Sequence, residues 1–324
     1  MEQPDYMLLF KTVQISPFRV LMTALKDILL ETNITFEKDG IKIINMDKSH
    51  TILVHLHLQN DNFEFYECKK DKIIIGVNMF HLFKLINTID TDDTLSIYIE
   101  TEDYNDGIVE NLVLKFENKQ KEQCKIQKLK LIEPDHEELK IPDVKFSSII
   151  NLPSNDFQKI IRDLNCISDK LEIKSVKNQL IFRCNGSFAT AEIIRSESDG
   201  MGFIQKHNKV IQGEFSLKNL NYFIKCTNLC NQIEMYMEND LPLIIQYNVA
   251  SLGVIRLGLA PLPSSCRRSK TAIRILYKSA STAFTTTRRT SARRTSARRT
   301  SARSTSARRD TTNSRCNIHS FHFT

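Results

Sequence analysis

Residues 18–46, FRVLMTALKDILLETNITFEKDGIKIINM, decide the fold, because their pattern of apolar positions is repeated later in the chain. The spacing of an amphipathic helix is present in Phe18, Leu21, Leu25 and Ile28. Two alternating segments follow, and the Asp39-Gly40 pair between them predicts a β-hairpin because it tolerates positive φ. The helical positions recur 139 residues later as Phe157, Ile160, Leu164 and Ile167. We therefore predict a duplicated fold and not an array of short repeats.

Each half of the chain predicts the same order of elements: a helix, several strands, a second helix and further strands. In the first half, Ser16 is the predicted N-cap of helix one, and helix two covers 79–88. In the second half, helix three follows Pro153 and helix four covers 217–227. Helices that alternate with runs of antiparallel strands lie on one face of the sheet, which indicates an α+β fold.

The chain divides into four predicted segments. These are a first domain (1–124), an extended connector (125–142), a second domain (143–263) and a basic low-complexity tail (264–324). The connector is charged, contains Pro134 and Pro142, and has apolar residues that can tether it to the surface. The tail holds 15 of the 45 basic residues and 1 of the 38 acidic ones, so the rest carries a net charge of −7. The overall charge of +7 therefore describes the tail and not the body.

The tail has a composition that cannot build a core. From Thr290 to Arg309 it repeats Thr-Ser-Ala-Arg-Arg, with one lapse at Ser304, and this predicts disorder. Three interpretations stay open: an arm for nuclear localisation or nonspecific nucleic-acid binding, a target of basic-directed kinases, or a shifted frame of repetitive DNA. The abrupt change after Pro263 favours the third interpretation.

Several classes of protein lack support in the sequence. The eight cysteines form no Cys-x-x-Cys pair, which is typical of reduced intracellular thiols. There is no secretory signal pattern and no apolar run near the ~20 residues of a membrane span. His50, His55 and His57 suggest a metal site at first, and His55 and His57 share one strand face. No third ligand for that pair is evident, so we predict no metal site. Without a phosphate-binding loop or a dinucleotide motif, we expect no cofactor and no enzyme.

All four predicted helices carry basic residues opposite their apolar stripes. The basic residues with this placement include Arg19, Lys26, Lys84, Lys159, Arg162, Lys218 and Lys225. Any one such face could be an ordinary solvated surface. Four of them in an acidic body focus positive potential on one side and indicate contact with nucleic-acid phosphates without sequence readout.

A series of motifs then carries a family resemblance. Thr23-Ala24-Leu25-Lys26-Asp27-Ile28 is followed by residues 40–50, GIKIINMDKSH, and by Gly76-Val77-Asn78. Ile141-Pro142, Ile161-Arg162-Asp163-Leu164 and Leu259-Ala260-Pro261 come later, in that order. With this order and spacing, residues 7–263 resemble the proliferating cell nuclear antigen (PCNA) family of DNA sliding clamps. The resemblance implies the DNA-clamp fold, with two helices per domain on antiparallel sheet, and a closed homotrimeric ring around duplex DNA.

The resemblance also implies a DNA-facing surface and a subunit seam. The positions that face DNA in the family match Arg19, Lys26, Lys84, Arg162, Lys218 and Lys225. Positions that are often basic or His in the family are Val20, Asn87 and Cys166 here, so DNA contact is expected to be weaker or redistributed. At the seam, a strand near Val109–Glu117 is expected to pair with one near Ser187–Arg195 of a neighbouring copy.

The family's pocket for partner peptides carries over as well. Its matching wall residues are Met46, His50, Leu139, Ile141, Pro142, Pro242, Leu259, Ala260 and Pro261. Gly258 replaces a bulky aromatic of the family, which predicts a wider or shallower pocket. Lys177 matches the lysine that the family uses for ubiquitin-type modification.

The sequence and the resemblance together predict a non-enzymatic DNA sliding clamp, or polymerase processivity factor. The expected partners are double-stranded DNA, two further copies of the chain, DNA polymerase, a clamp-loader ATPase, and peptides of ligases and nucleases. The expected location is the nucleus, or a viral replication site. Two alternatives stay open: a subunit of a checkpoint-type heterotrimeric clamp, and a monomeric processivity factor held on DNA electrostatically.

Overall fold

The computed structural model describes residues 5–135, 139, 141, 144–198, 200–205 and 208–263. The predicted tail (264–324) and Pro142 lie outside these residues. The helices are α1 (Ile15–Ile28), α2 (Met79–Ile86), α3 (Ser154–Asn165) and α4 (Leu217–Phe223), with 3-10 segments at Asn60–Asn62, Thr101–Asp103 and Ile224–Leu229. Among the described residues, no helix has the length and apolarity to cross a membrane.

The strands occupy most of the remaining described chain. In order they are β1 (Tyr6–Thr12), β2 (Glu31–Glu37), β3 (Gly40–Met46), β4 (Ile52–Gln59), β5 (Phe65–Cys68), β6 (Lys72–Asn78), β7 (Thr94–Glu100), β8 (Tyr104–Asn105), β9 (Ile108–Val109), β10 (Asn111–Asn118), β11 (Gln123–Lys130), β12 (Ser148–Pro153), β13 (Lys170–Val176), β14 (Gln179–Asn185), β15 (Thr190–Ser196), β16 (Gly202–Gln205), β17 (Val210–Ser216), β18 (Gln232–Met237), β19 (Leu243–Val249) and β20 (Gly253–Leu259). The pairings between them are antiparallel, which with the four described helices confirms the α+β class.

The duplication read from the sequence recurs in the elements. The hairpin β2–β3 begins at Glu31, and its counterpart β13–β14 begins 139 residues later at Lys170. The four-stranded sheet has the order β15-β14-β13-β17, which repeats the order β4-β3-β2-β6 of the first half. The five-stranded sheet, β11-β10-β7-β1-β5, is repeated in the same way by β20-β19-β18-β12-β16.

One nine-stranded sheet joins the two halves of the chain. Its order is β16-β12-β18-β19-β20-β4-β3-β2-β6, so β20 of the second half pairs with β4 of the first. The register runs from Gly253 opposite Leu58 to Leu259 opposite Ile52. On the core side of this sheet lie buried residues such as Val54, Ile255 and Leu257. Burial of apolar surface on this side stabilises the sheet against the helices.

Strand β11 corrects two predictions. Its residues Lys125 to Lys130 were expected to begin the connector, but they pair with β10 along its whole length. β10 also pairs with β7, so both of its edges are occupied. The strand near Val109–Glu117 therefore cannot pair across a seam. One edge strand of this sheet is β11, with β5 at the other edge, and β15 and β17 are the edge strands of the four-stranded sheet.

The helices form one layer over the sheets, and three of their ends differ from the prediction. Helix α2 ends at Ile86, two residues before its predicted end. Helix α1 contacts α2 and the 3-10 segment Ile224–Leu229, and α3 contacts α4. Ser16 is not the N-cap of α1. The helix begins at Ile15, and the preceding Gln14 instead donates its N–H to Thr12 Oγ1 at 3.0 Å. Helix α4 ends at Phe223, and the chain continues as a 3-10 segment where an α-helix was predicted.

Candidate DNA interface and partner pocket

The six predicted DNA-facing residues lie on the helix layer, on elements whose apolar faces are buried. In α1, for example, Phe18, Leu21 and Leu25 are buried, while Arg19 and Lys26 are half-buried on the other side. The side chains of Lys84, Arg162, Lys218 and Lys225 are exposed. Each exposed residue comes from a different element, so the cations are spread over the layer in a way that suits a repeated charge such as phosphate.

Arg19 is partly used within the protein. Its guanidinium donates to the carbonyl of Ile89, in the loop that follows α2. The Nε of Arg19 is buried without a described hydrogen-bond partner. Part of this side chain therefore ties α1 to the loop, and only the remainder can face DNA.

Lys26, Asp27 and Lys225 form a cluster where the two halves of the chain meet. Lys26 Nζ lies 2.7 Å from Asp27 Oδ1, and Lys225 Nζ lies 2.5 Å from Asp27 Oδ2. Burial opposes ionisation of Asp27, but the hydrogen bonds from Lys225 and Lys26 prevail and lower the pKa of its carboxyl. Lys225 belongs to the 3-10 segment and not to α4, so its predicted helical spacing from Lys218 was wrong.

Aromatic rings support three of the lysines. Lys26 Nζ is 4.8 Å from the centre of the Phe83 ring, and Lys84 Nζ is 4.5 Å from the centre of the Phe80 ring. Lys225 Nζ lies 5.4 Å from the Tyr222 ring. A cation over an aromatic face is attracted by the ring quadrupole, which limits the positions that the ammonium group occupies. Because Phe80 and Phe83 carry no charge, nothing in the sequence indicated that they hold the ammonium groups of Lys84 and Lys26 in place.

The candidate partner pocket is built around Asp47, which directly follows strand β3. Its Oδ1 accepts hydrogen bonds from the N–H groups of Thr51 at 2.7 Å and Ile52 at 2.6 Å. The loop is further joined to the end of β20, since Ala260 donates its N–H to the Thr51 carbonyl at 2.9 Å. The Met-Asp-x-Ser-His motif thus holds Met46 and Ala260 in neighbouring positions by local hydrogen bonds.

The predicted pocket residues differ in their exposure. Met46, Leu139, Ala260 and Pro261 are half-buried, His50 and Ile141 are exposed, and Pro242 is buried. Leu259 is 1% exposed, because it faces the core with its cross-strand partners Ile52 and Leu243. Leu259 was therefore assigned wrongly as a wall residue, and it supports the pocket from beneath.

Gly258 lies in an outward-facing row that the sequence analysis missed. Across the strands, Met46 is opposite Leu53, Leu53 is opposite Gly258, and Gly258 is opposite Ile244. A Cβ at Gly258 would lie 3.0 Å from Ile244 Cδ1 and 3.4 Å from Leu53 Cβ. Ile244 and Leu53 thus occupy part of the space beside Gly258, and the row continues the apolar surface of the pocket. The alternation of β4 and β19 could have identified both residues.

The connector after Lys130 is held against the edge strand β6. Ile132 donates its N–H to the Gly76 carbonyl at 3.0 Å. Farther along, the Asn33 side chain binds the backbone of Asp135 twice, as a donor at 2.6 Å and as an acceptor at 3.0 Å. Backbone hydrogen bonds therefore tether this segment, in addition to the apolar contacts that were expected; one such contact is Leu131 against the core.

Lys177 and the histidines of β4 stand apart from these surfaces. Lys177 is exposed at the turn between β13 and β14, with φ of 53°. Its modification stays a prediction. Burial and the nearby Arg256 lower the pKa of His55 to about 4. The described residues contain no group of three His, Cys, Asp or Glu arranged to hold a metal ion.

Comparison with known proteins identifies the family. Residues 7–138 match the description "Proliferating cell nuclear antigen, N-terminal domain", and residues 140–262 match the corresponding C-terminal domain. A protein named "Probable DNA polymerase sliding clamp 1", from Paramecium bursaria Chlorella virus 1, is 30% identical over 269 residues. The match covers 82% of this chain and 100% of the viral protein. The chain therefore belongs to the PCNA family of sliding clamps, a family of non-catalytic processivity factors with DNA and polymerase partners.

Proposed function

We propose that this chain is a DNA sliding clamp that assembles into a homotrimeric ring, encircles duplex DNA without reading its sequence, and tethers DNA polymerase. It has no catalytic role of its own in this proposal. A separate clamp-loader ATPase opens and places the ring, and peptides from polymerase, ligase and nuclease enter the pocket around Met46 and Ala260. The site of action is the nucleus or a viral replication site.

One observation carries the ring proposal: the pairing of β20 with β4 can be repeated between chains. In the duplicated topology, β11 has the place of β20, and β15 has the place of β4. Since β11 and β15 are both edge strands, pairing of β11 with β15 of the next copy reproduces the internal junction. Such a head-to-tail contact generates a ring if the rotation closes.

The exposed apolar residues of these edges support the same proposal. Ile126 on β11 is 56% exposed and Ile194 on β15 is 52% exposed. Each lies on the face of its sheet opposite the core, beside Lys115 and Ile181 respectively. Covering such residues at an interface contributes roughly 25 cal/mol per Å² of apolar surface removed from water.

Oligomeric mass and DNA retention test the proposal together. Ile126→Asp places a charge at the edge of β11, and we expect it to convert the trimer, about three times 37.4 kDa, to monomers. The matched control is Ile108→Asp, since Ile108 is 64% exposed on the two-stranded sheet β8-β9.

On nicked circular DNA, the loaded wild-type protein should resist high salt and then dissociate when the DNA is linearised. A monomer that salt removes from both DNA forms would instead support the electrostatic processivity factor. A chain that assembles only with two different partners would support the checkpoint-type clamp.

A further inference from the structure

We propose that Asp27 is an internal competitor for DNA phosphate, which occupies Lys26 and Lys225 and so weakens the grip of the helix layer on DNA. The inference rests on the proposed DNA-facing role of that layer. It assigns to a single carboxylate the task of keeping the contact loose enough for the ring to move along DNA.

The geometry places one carboxylate between two ammonium groups. Each oxygen of Asp27 is taken by a different lysine, at 2.7 Å for Lys26 and 2.5 Å for Lys225. The two lysines come from sequence positions 199 residues apart and meet because α1 contacts the 3-10 segment. The side chains of Lys26 and Asp27 are only 18% and 26% exposed, so water screens this cluster less than it would a fully exposed pair.

The aromatic rings beneath the lysines add a second constraint. Phe83 lies under Lys26 and Tyr222 lies under Lys225, so each ammonium group has a ring on one side and a carboxylate on another. A phosphate that approaches either lysine must share it with Asp27 or displace that carboxylate. Lys26, Lys225 and Asp27 together therefore present a net charge of +1 to the phosphate, whereas the two lysines alone would present +2.

Other basic residues of the layer offer a contrast. Arg162 and Lys218 are exposed, and neither has an ion pair with a described carboxylate. They can bind phosphate without losing an internal partner. The layer therefore contains two kinds of basic residue: those without a described carboxylate partner, and the two lysines paired with Asp27. At those two lysines, the carboxylate shortens the lifetime of each phosphate contact.

The test compares Asp27→Asn with Asp163→Asn in the full-length protein. Asp163 is exposed on α3 beside Arg162, so its substitution removes the same charge from the same layer without releasing a described lysine. Binding of a fluorescent 40-base-pair blunt duplex is measured by anisotropy from 50 to 200 mM salt. Asp27→Asn should bind several-fold more tightly at 50 mM and lose about 3-fold more affinity across this range for each phosphate newly contacted.

The outcomes separate this inference from the proposed function. Equal affinity gains for both variants would mean that Asp27 contributes only its general charge, and the inference would be overturned. No gain for Asp27→Asn would overturn it as well. If Lys225→Gln and Arg162→Gln both leave duplex binding and its salt dependence unchanged, the DNA-facing role of the layer itself fails.

Discussion

The close approach between Gly76 and the connector makes a sharp prediction for Gly76→Ala. A Cβ at this position would lie 2.5 Å from the carbonyl oxygen of Ile132 and 2.9 Å from that of Glu133. Both are backbone atoms, so no side-chain rotation relieves the contact. The connector must move away from β6 by several tenths of an ångström or more.

The magnitude follows from the hydrogen bonds at risk. Moving the connector breaks the bond from Ile132 N–H to the Gly76 carbonyl and strains the two bonds between Asn33 and Asp135. Each contributes about 0.5–1.5 kcal/mol net, and these sites are partly solvated. We therefore expect Gly76→Ala to lower the free energy of unfolding by about 1–3 kcal/mol.

Urea unfolding and amide hydrogen exchange measure the two parts of this prediction. The Ile132 amide should lose protection in Gly76→Ala more than the amides of the central strands do. Gly202→Ala is the matched control, because a Cβ there meets no atom within 4 Å. Equal stability of the two variants, with unchanged protection of Ile132, would refute the reasoning.

Four further predictions concern the other sites. Burial lowers the pKa of His55 to about 4, so this side chain is neutral in the folded protein at a pH where the unfolded chain, with a pKa of about 6.5, is protonated. The free energy of unfolding therefore falls as pH drops from about 6.5 toward 4. His55→Gln should reduce that loss by about 2 kcal/mol in urea unfolding at pH 4.5. Arg19→Ala should cost about 1–2 kcal/mol of stability as well as DNA affinity, whereas Arg162→Ala should cost DNA affinity alone in the same melting and anisotropy assays. Asp47→Ala should lower the unfolding free energy by about 2–3 kcal/mol, because two part-buried N–H groups lose a charged acceptor. Gly258→Ala should change the free energy of urea unfolding by less than about 1 kcal/mol, because the added Cβ meets only the flexible end of Ile244 at 3.0 Å and lies at ordinary contact distance, 3.4 Å, from Leu53 Cβ.

Local periodicity was sufficient to predict the helices and the first hairpin. Those elements carry their own signal, because the apolar stripe beginning at Phe18 and the turn at Asp39-Gly40 need no distant partner. Strand β11 was missed because an exposed edge strand carries polar side chains on much of both faces. Its residues Lys125, Lys128 and Lys130 therefore look like a charged connector.

The finer features of the site depend on distant pairings. Asp27 and Lys225 are 198 residues apart in sequence, and no local pattern places them together. Leu259 was misassigned because the resemblance identifies positions, whereas the direction of a strand side chain follows from the register. A shift of one residue exchanges the core face for the outer face. Asn33 likewise gave no signal, since its partner is the backbone of the connector.

The junction of β4 with β20 has a mechanical consequence. Seven residue pairs join the two halves of the chain there, and the sheet continues on both sides of the junction. The halves cannot hinge apart without breaking a ladder in the middle of a continuous sheet. A ring made from such chains is rigid within each chain and compliant only where separate chains meet. In the proposed ring we therefore expect an opening force to act on those contacts, and we expect DNA to enter between neighbouring copies and not through the middle of one.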